Sequence, residues 1–215
     1  MNQTKKSLVR KVTKTVKCGY LLFLPKGYKP GGRRWPLILF LHGAGQRGDD
    51  LEQVKEHGLA KIVATLPDFP AIVVSPQCPT DGWWTSDPLA ALLDEVEEKY
   101  RVDRKRIYVT GLSMGGFGTW TLAMEQPQRF AALVPICGRG NPLLVHRIKE
   151  LPIWVFHGEK DKIVPIANSR EMVRALRAHG AKPKFTIYPD AAHDSWTRTY
   201  ENPRLYTWLF RQARS

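Results

Sequence analysis

Residues 107–120 read Ile-Tyr-Val-Thr-Gly-Leu-Ser-Met-Gly-Gly-Phe-Gly-Thr-Trp, and this stretch constrains the chain more than any other. A β-branched run ends in Gly111-Leu112-Ser113-Met114-Gly115, and small residues suited to a helix follow. A serine spaced this way between glycines sits at the tip of a sharp strand-to-helix turn. Gly111 and Gly115 leave room for the chain to double back, where a Cβ would clash. The hydroxyl of Ser113 then points out of the turn. The helix opening at Met114 aims backbone N–H groups and the positive end of its dipole at the same place. The same letters are also compatible with a glycine-rich turn holding an incidental serine, so the rest of the chain must supply what a reactive serine needs.

Order along the chain sets the fold class. Lys11 to Val16 alternates polar and apolar, and Tyr20 to Leu24 is apolar. Both read as strands, an antiparallel pair at one sheet edge. Leu37 to Leu41 is continuously apolar, as in a strand buried on both faces of a parallel sheet, and it ends in His42-Gly43-Ala44-Gly45. Further strands are expected at Ala71–Val74, Arg106–Thr110, Ala131–Ile136, Ile153–Phe156 and Lys184–Tyr188. Helices are expected at Leu51–Leu66 with a break near Gly58, at Pro88–Tyr100 behind an Asp87 cap, at Phe117–Glu125 and at Ala167–Ala178 stopped by Gly180. A last helix, Trp196–Arg211, is interrupted by Pro203. Strand and helix alternate at βαβ spacing, which predicts an α/β fold: a mostly parallel sheet of about eight strands with helices on both faces and no lid domain. No repeat, low-complexity tract or linker divides the 215 residues, so a single domain is expected over 1–215, with 1–17 as a basic segment at its N-terminal edge.

Composition narrows the partners. Net charge is +13, which suits an anionic partner. However, the basic residues are scattered, and the dense N-terminal run lacks the interleaved aromatics of a nucleic-acid platform. Solvated surface charge is the reading adopted, with no nucleic-acid partner and no membrane insertion expected. The first residues carry no apolar h-region, so no signal peptide is read. A mature or single-domain form would look the same, and the compartment stays open. Cys18, Cys78 and Cys137 are widely spaced and form no CxxC pair and no Cys/His cluster of zinc spacing. They read as buried or half-buried thiols, with one disulfide compatible. No metal site and no cofactor is expected.

A serine hydroxyl needs a base, and the base needs an orienting acid. In strand–elbow–helix folds the order is serine, acid, histidine. Of the six histidines, only His179 and His193 lie beyond an acid placed after the Ile153–Phe156 strand. His179 ends a helix just before Gly180 and reads as a cap. His193 lies on the loop after the last strand, at the edge where catalytic groups of open α/β sheets gather, and is the expected base. Asp161, on the loop after the preceding strand, is the expected acid, with Glu159 second. Asp190 and Asp194 are too close to His193 in sequence and read as loop caps or surface charge. The oxyanion donors expected are the N–H of Met114 and that of Ala44, with Gly45 second. His42 reads as hydrogen-bonded support rather than as a catalyst. Trp83, Trp84 and Trp196 lie on loops at the same edge and are candidate substrate-contacting residues. Core packing is the competing reading for each.

From Tyr20 onward the chain resembles the α/β-hydrolase superfamily. It is most similar to small bacterial esterases and predicted peptidases related to prolyl oligopeptidase catalytic domains, to feruloyl and acetylxylan esterases and to the phospholipase/carboxylesterase family. The matching pieces are Phe40–Gly48, Asp103–Gly116, Phe156–Asp161 and His193–Trp196. The resemblance implies Ser113 as nucleophile, Asp161 as acid and His193 as base, with Ala44 and Met114 forming the oxyanion hole. The segment between the strands ending at Ile136 and Phe156 is too short for a helical lid, and nothing in the chain suits a propeller. The expectation is therefore a serine carboxylesterase with an open site, acting on small or polymer-attached esters with short-chain, aryl or feruloyl-type acyl groups. A prolyl-oligopeptidase-like peptidase and a basic polyanion-binding protein on a hydrolase scaffold are the alternatives. Acyl and alcohol specificity and oligomeric state are left open.

Overall fold

The computed structural model describes residues 3–214. Met1, Asn2 and Ser215, the ends of the expected single domain, lie outside the described residues. Seven strands form one sheet in the order β1-β3-β2-β4-β5-β6-β7: β1 (Tyr20–Phe23), β2 (Trp35–Leu41), β3 (Ile72–Pro76), β4 (Val102–Leu112), β5 (Ala132–Ile136), β6 (Trp154–Gly158) and β7 (Lys184–Tyr188). β1 runs antiparallel to β3, and every other pairing is parallel. β2 is apolar throughout because both its faces are covered. Leu37, Leu39 and Leu41 enter one core layer, and Ile38 and Phe40 enter the other.

Three helices close each face. α2 (Ser86–Lys99), α3 (Met114–Glu125) and α4 (Ala167–Ala178) bury Leu92, Trp120 and Met172 in the first layer. α1 (Gly58–Thr65), α5 (Trp196–Tyr200) and α6 (Pro203–Leu209) bury Leu59, Tyr200 and Leu205 in the second. The chain leaves β2 for β3 on one side and returns to β4 on the other. The crevice between the ends of β2 and β4 is therefore the switch point of the sheet, where open α/β folds place their ligands.

Several boundaries follow the sequence signals. Gly58, at φ +65°, breaks the expected Leu51–Leu66 helix into a 3₁₀ segment (Leu51–Glu56) and α1. Pro203 divides the last helix into α5 and α6.

Two expectations are corrected. Lys11–Val16 forms no strand, so the sheet has seven strands instead of about eight. Its alternation puts only Val12 and Val16 on the apolar side, and Val12 is 82% exposed; with no face to bury, the alternation has nothing to drive pairing. Asp87 does not cap α2. The helix begins two residues earlier than expected, at Ser86, and Asp87 reaches Lys14 at 2.7 Å instead. Among the described residues no helix is long and apolar enough to cross a membrane.

Candidate active site

β4 delivers Ser113 at φ +52° and ψ −117°, in a region that side chains disfavour by about 1–3 kcal/mol. The turn holds because the chain on either side is packed at contact distance. A Cβ on Gly115 would lie 1.9 Å from the Leu41 carbonyl oxygen, so only glycine lets α3 start against β2. Ser113 N–H donates to Ile136 O at 3.0 Å, which ties the elbow to β5. As the first helical residue, Met114 has no intrahelical acceptor for its N–H. Ala44 and Gly45 open a short 3₁₀ turn (Ala44–Gln46) at the end of β2, both are exposed, and their N–H groups are free for the same reason.

His193 brings the set together. Ser113 Oγ lies 2.9 Å from His193 Nε2, and His193 Nδ1 lies 2.8 Å from Asp161 Oδ2. A carboxylate only accepts, so Nδ1 carries the proton and Nε2 is open to accept from the serine hydroxyl. Asp161 is fixed in turn: its Oδ1 accepts from the N–H groups of Ile163 and Val164, each at 2.9 Å. Burial opposes its charge, but the hydrogen bond from His193 and those two N–H groups outweigh it and hold the carboxyl below its ordinary value.

The acid loop and the base loop are joined through their backbones. Glu159 N–H donates to Tyr188 O and Lys160 N–H to Ala191 O, each at 2.9 Å. A Cβ on Gly158 would meet Ala192 O at 2.1 Å, so glycine is what allows the base loop to lie across the acid loop. Beyond His193, Tyr200 on α5 shares a 2.9 Å hydrogen bond with Thr110 on β4, linking the helix after His193 to the strand that leads to Ser113.

His157, buried on β6, supports Asp161 from the other side at 3.2 Å. Its Nε2–H donates to Val164 O at 2.8 Å and its Nδ1 accepts from Ser169 Oγ at 2.7 Å. Burial holds it below the ordinary histidine value, so it serves as a neutral strut. His42 is likewise neutral: burial lowers it to about 4. Its Nδ1–H donates to Gly43 O at 2.6 Å, while Nε2 accepts from Cys78 N–H at 3.0 Å. From sequence, His157 reads only as a loop residue, whereas His42 already reads as hydrogen-bonded support. The partners that fix His42, Cys78 and Trp84, lie far along the chain, while those of His157 follow it on the next loop and helix.

The three tryptophans separate. Trp83 is 53% exposed and meets Phe117 edge-on at 5.7 Å. Phe117 lies one helical turn after Ser113 and, like it, is only partly buried. In sequence it reads as an ordinary helix residue, although its spacing of four from the serine is a usable signal. Trp196 stands edge-on to His193 with centroids 5.2 Å apart. Trp84, expected to contact substrate, is instead 5% exposed: its indole N–H donates to His42 O at 3.0 Å, and its ring crosses that of His42. It braces the turn that leaves β2. Glu159, the second choice for the acid, pairs with Arg170 at 3.0 Å, and His179 caps α4 through Ala175 O. Asp194 caps α5 through Thr197 N–H, and Asp190 pairs with Arg198.

One cysteine lies beneath the set. Cys137 follows β5 at φ +39° and is fully buried, with its sulfur within 4.8 Å of ligand atoms of Asp161 and His193. Burial pushes this thiol up to about 12. It is therefore an uncharged neighbour, and the carboxylate and imidazole facing it are already engaged with each other.

Known proteins share this architecture. A profile described as the dienelactone hydrolase family matches residues 3–203. A bifunctional acetylxylan esterase/xylanase of Neocallimastix patriciarum is 26% identical over 198 residues, covering 87% of this chain and 27% of that protein. A solved thermostable esterase is 40% identical with a TM-score of 0.80, covering 93% of this chain and 60% of the other. A ferulic acid esterase structure, 20% identical with a TM-score of 0.67 and covering 90% of this chain and 91% of that one, shares the fold. The chain thus spans about a quarter of the xylanase relative's length and three-fifths of the thermostable esterase's.

Proposed function

Because the chain belongs to the dienelactone hydrolase family, we propose that it is a serine carboxylesterase working through an acyl-enzyme. The observation that carries this reading is the unbroken hydrogen-bond chain Ser113–His193–Asp161, at 2.9 and 2.8 Å, ending at the N-terminus of α3.

In this reading Ser113 Oγ attacks the ester carbonyl carbon while its proton passes to His193 Nε2. The imidazolium so formed is stabilised by Asp161, which stays charged. The carbonyl oxygen becomes an oxyanion and is received by the N–H groups of Met114 and Ala44, with Gly45 as the alternative second donor. Collapse of the tetrahedral species breaks the bond to the alcohol oxygen, which takes the proton from His193. Water then attacks the acyl carbon, giving its proton to His193 Nε2, and the second tetrahedral species expels Ser113 Oγ, which takes that proton back as the acid is released.

The surroundings of Ser113 support a substrate class. Residues 137–153 hold one short 3₁₀ segment (Pro142–Arg147), so among the described residues no helical lid is inserted between β5 and β6. The partly exposed Trp83–Phe117 pair offers an aromatic wall one turn away. These features favour soluble or polymer-attached esters with short or aryl acyl groups, and the similarity to an acetylxylan esterase leans the same way.

The test is hydrolysis of p-nitrophenyl acetate and of acetyl, butyryl, octanoyl and feruloyl esters, alongside blocked dipeptide amides. Ser113→Ala is expected to lower turnover by about 10⁴-fold or more while the protein stays folded. A variant with wild-type rates removes Ser113 from the mechanism. Amide turnover rivalling ester turnover replaces the esterase with a peptidase.

A further inference from the structure

Cys18 and Cys78 are sixty positions apart and take no part in the chemistry above. β1 and β3 pair with Tyr20 opposite Pro76 and Leu21 opposite Ser75. The pairing continues past the strand ends, because Gln77 N–H donates to Gly19 O at 2.8 Å. One more step in that register sets Cys18 opposite Cys78.

Hydrogen bonding fixes the kind of pair. In an antiparallel ladder, hydrogen-bonded and non-hydrogen-bonded pairs alternate. Gly19–Gln77 is of the bonded kind, so Cys18–Cys78 is of the other. The main chain of Cys78 agrees: both its polar groups turn away from the β1 side. Its N–H donates to His42 Nε2 at 3.0 Å, and its carbonyl accepts from Gly48 N–H at 2.9 Å. Non-hydrogen-bonded partners have Cα atoms ~4.5 Å apart and side chains on the same face, inside the ~4.4–6.8 Å range of disulfides. Both side chains also open on one cavity of about 280 Å³, shared with Trp83 and Trp84. Both are free thiols; Cys78 is buried and Cys18 is partly exposed.

We propose that Cys18 and Cys78 are a redox-active pair that closes into a cross-strand disulfide, stapling the segment before β1 to the loop that holds His42. The oxidant is a low-molecular-weight disulfide. The thiolate of Cys18, the more accessible sulfur, attacks it, forms a mixed disulfide and expels one thiolate. Cys78 then loses its proton and attacks Cys18 Sγ, expelling the second. Two protein thiols and one small disulfide become one protein disulfide and two small thiols, with two electrons passing to the small molecule. Burial, followed by the nearby Cys78, raises Cys18, and burial raises Cys78, so closure is slow near neutral pH and quickens as pH rises. The closed loop contains β2, the oxyanion loop, α1 and β3.

The experiment equilibrates the protein in glutathione buffers of stepped ratio, traps free thiols by alkylation and maps peptides. A Cys18–Cys78 cross-linked peptide is expected, with a mass lower by two hydrogen atoms than the reduced pair. Oxidation should raise Tm by on the order of 5–10 °C, reversibly with dithiothreitol. C18S, altered at a partly exposed position, should lose both the cross-link and the Tm response, and C78A should match it. A glutathione adduct on Cys18 without the cross-linked peptide, a cross-link through Cys137, or no thiol loss at the most oxidising ratio overturns the pairing. A Cys18–Cys78 cross-link that leaves Tm unchanged overturns the staple.

Discussion

The indole N–H of Trp84 donates to the main-chain carbonyl of His42 at 3.0 Å, so the loop after β3 holds the loop after β2 in place. That contact joins a core side chain to the backbone two residues before Ala44, the proposed second oxyanion donor. Trp84→Phe keeps the aromatic volume roughly and removes the donor. Stability should fall by about 2 kcal/mol, because the buried carbonyl loses its partner and a small void opens. Turnover of p-nitrophenyl acetate should fall about tenfold with KM nearly unchanged, the pattern of a contact that matters in the transition state. Denaturant midpoints and steady-state kinetics check this together. A change confined to KM would count against the bracing role.

Ser113 carries its strain whether or not it reacts. At φ +52° alanine is strained as serine is, whereas glycine is not. Ser113→Gly should therefore be more stable than Ser113→Ala by about 1 kcal/mol, even after the entropic cost of glycine. Both variants should be inactive. Urea unfolding of the pair decides it, and equal stabilities would mean that the elbow holds no strain.

Acid should weaken the protein through His42. Its proton-binding value falls from 6.5 in the unfolded chain to about 4 in the folded one. Between those values the unfolded state binds more protons, so stability declines as pH falls through this window and the loss is complete below it. The loss from His42 alone is on the order of 3 kcal/mol. His157, also lowered by burial, adds in the same direction. Asp161, held below its ordinary 3.8, keeps its contribution above that value and loses it only at lower pH. Denaturant midpoints from pH 7 to 4 measure the slope, and His42→Gln should flatten it. An unchanged slope in that variant would rule out His42 as its source.

Trp83 is the accessible member of the aromatic wall. Trp83→Ala should raise KM for a feruloyl ester about fivefold and barely affect an acetyl ester, since only the aryl group reaches the ring pair. Folding stability should change by less than about 1 kcal/mol, because the ring is half exposed. Equal effects on both esters would place the acyl group elsewhere.

The elbow was legible because its signal is local. Gly111, Ser113 and Gly115 state a backbone geometry within five residues, and strand and helix flank them. The placement of Asp161 and His193 beside Ser113 followed from chain order, since in a parallel sheet every loop after a strand emerges at one edge. The Ala167–Ala178 helix and the breaks at Gly58 and Pro203 were equally local. The extra strand at Lys11–Val16 failed because alternation describes a face, while a strand also needs a partner and something to bury that face.

The sequence by itself determined the order of strands and helices, the single-edge placement of Ser113, Asp161 and His193, and the glycines without which the turn could not close. These depend on short-range sterics and on hydrophobic runs that any packing must bury. Tertiary structure alone decided that Trp84 is a brace and Trp83 a wall, that His42 meets the main chain of Cys78, and that the β1–β3 register runs on toward Cys18 and Cys78. Each of those outcomes rests on a partner tens of residues away, or on the register between two strands. No local pattern encodes which distant carbonyl, ring or thiol a side chain will meet.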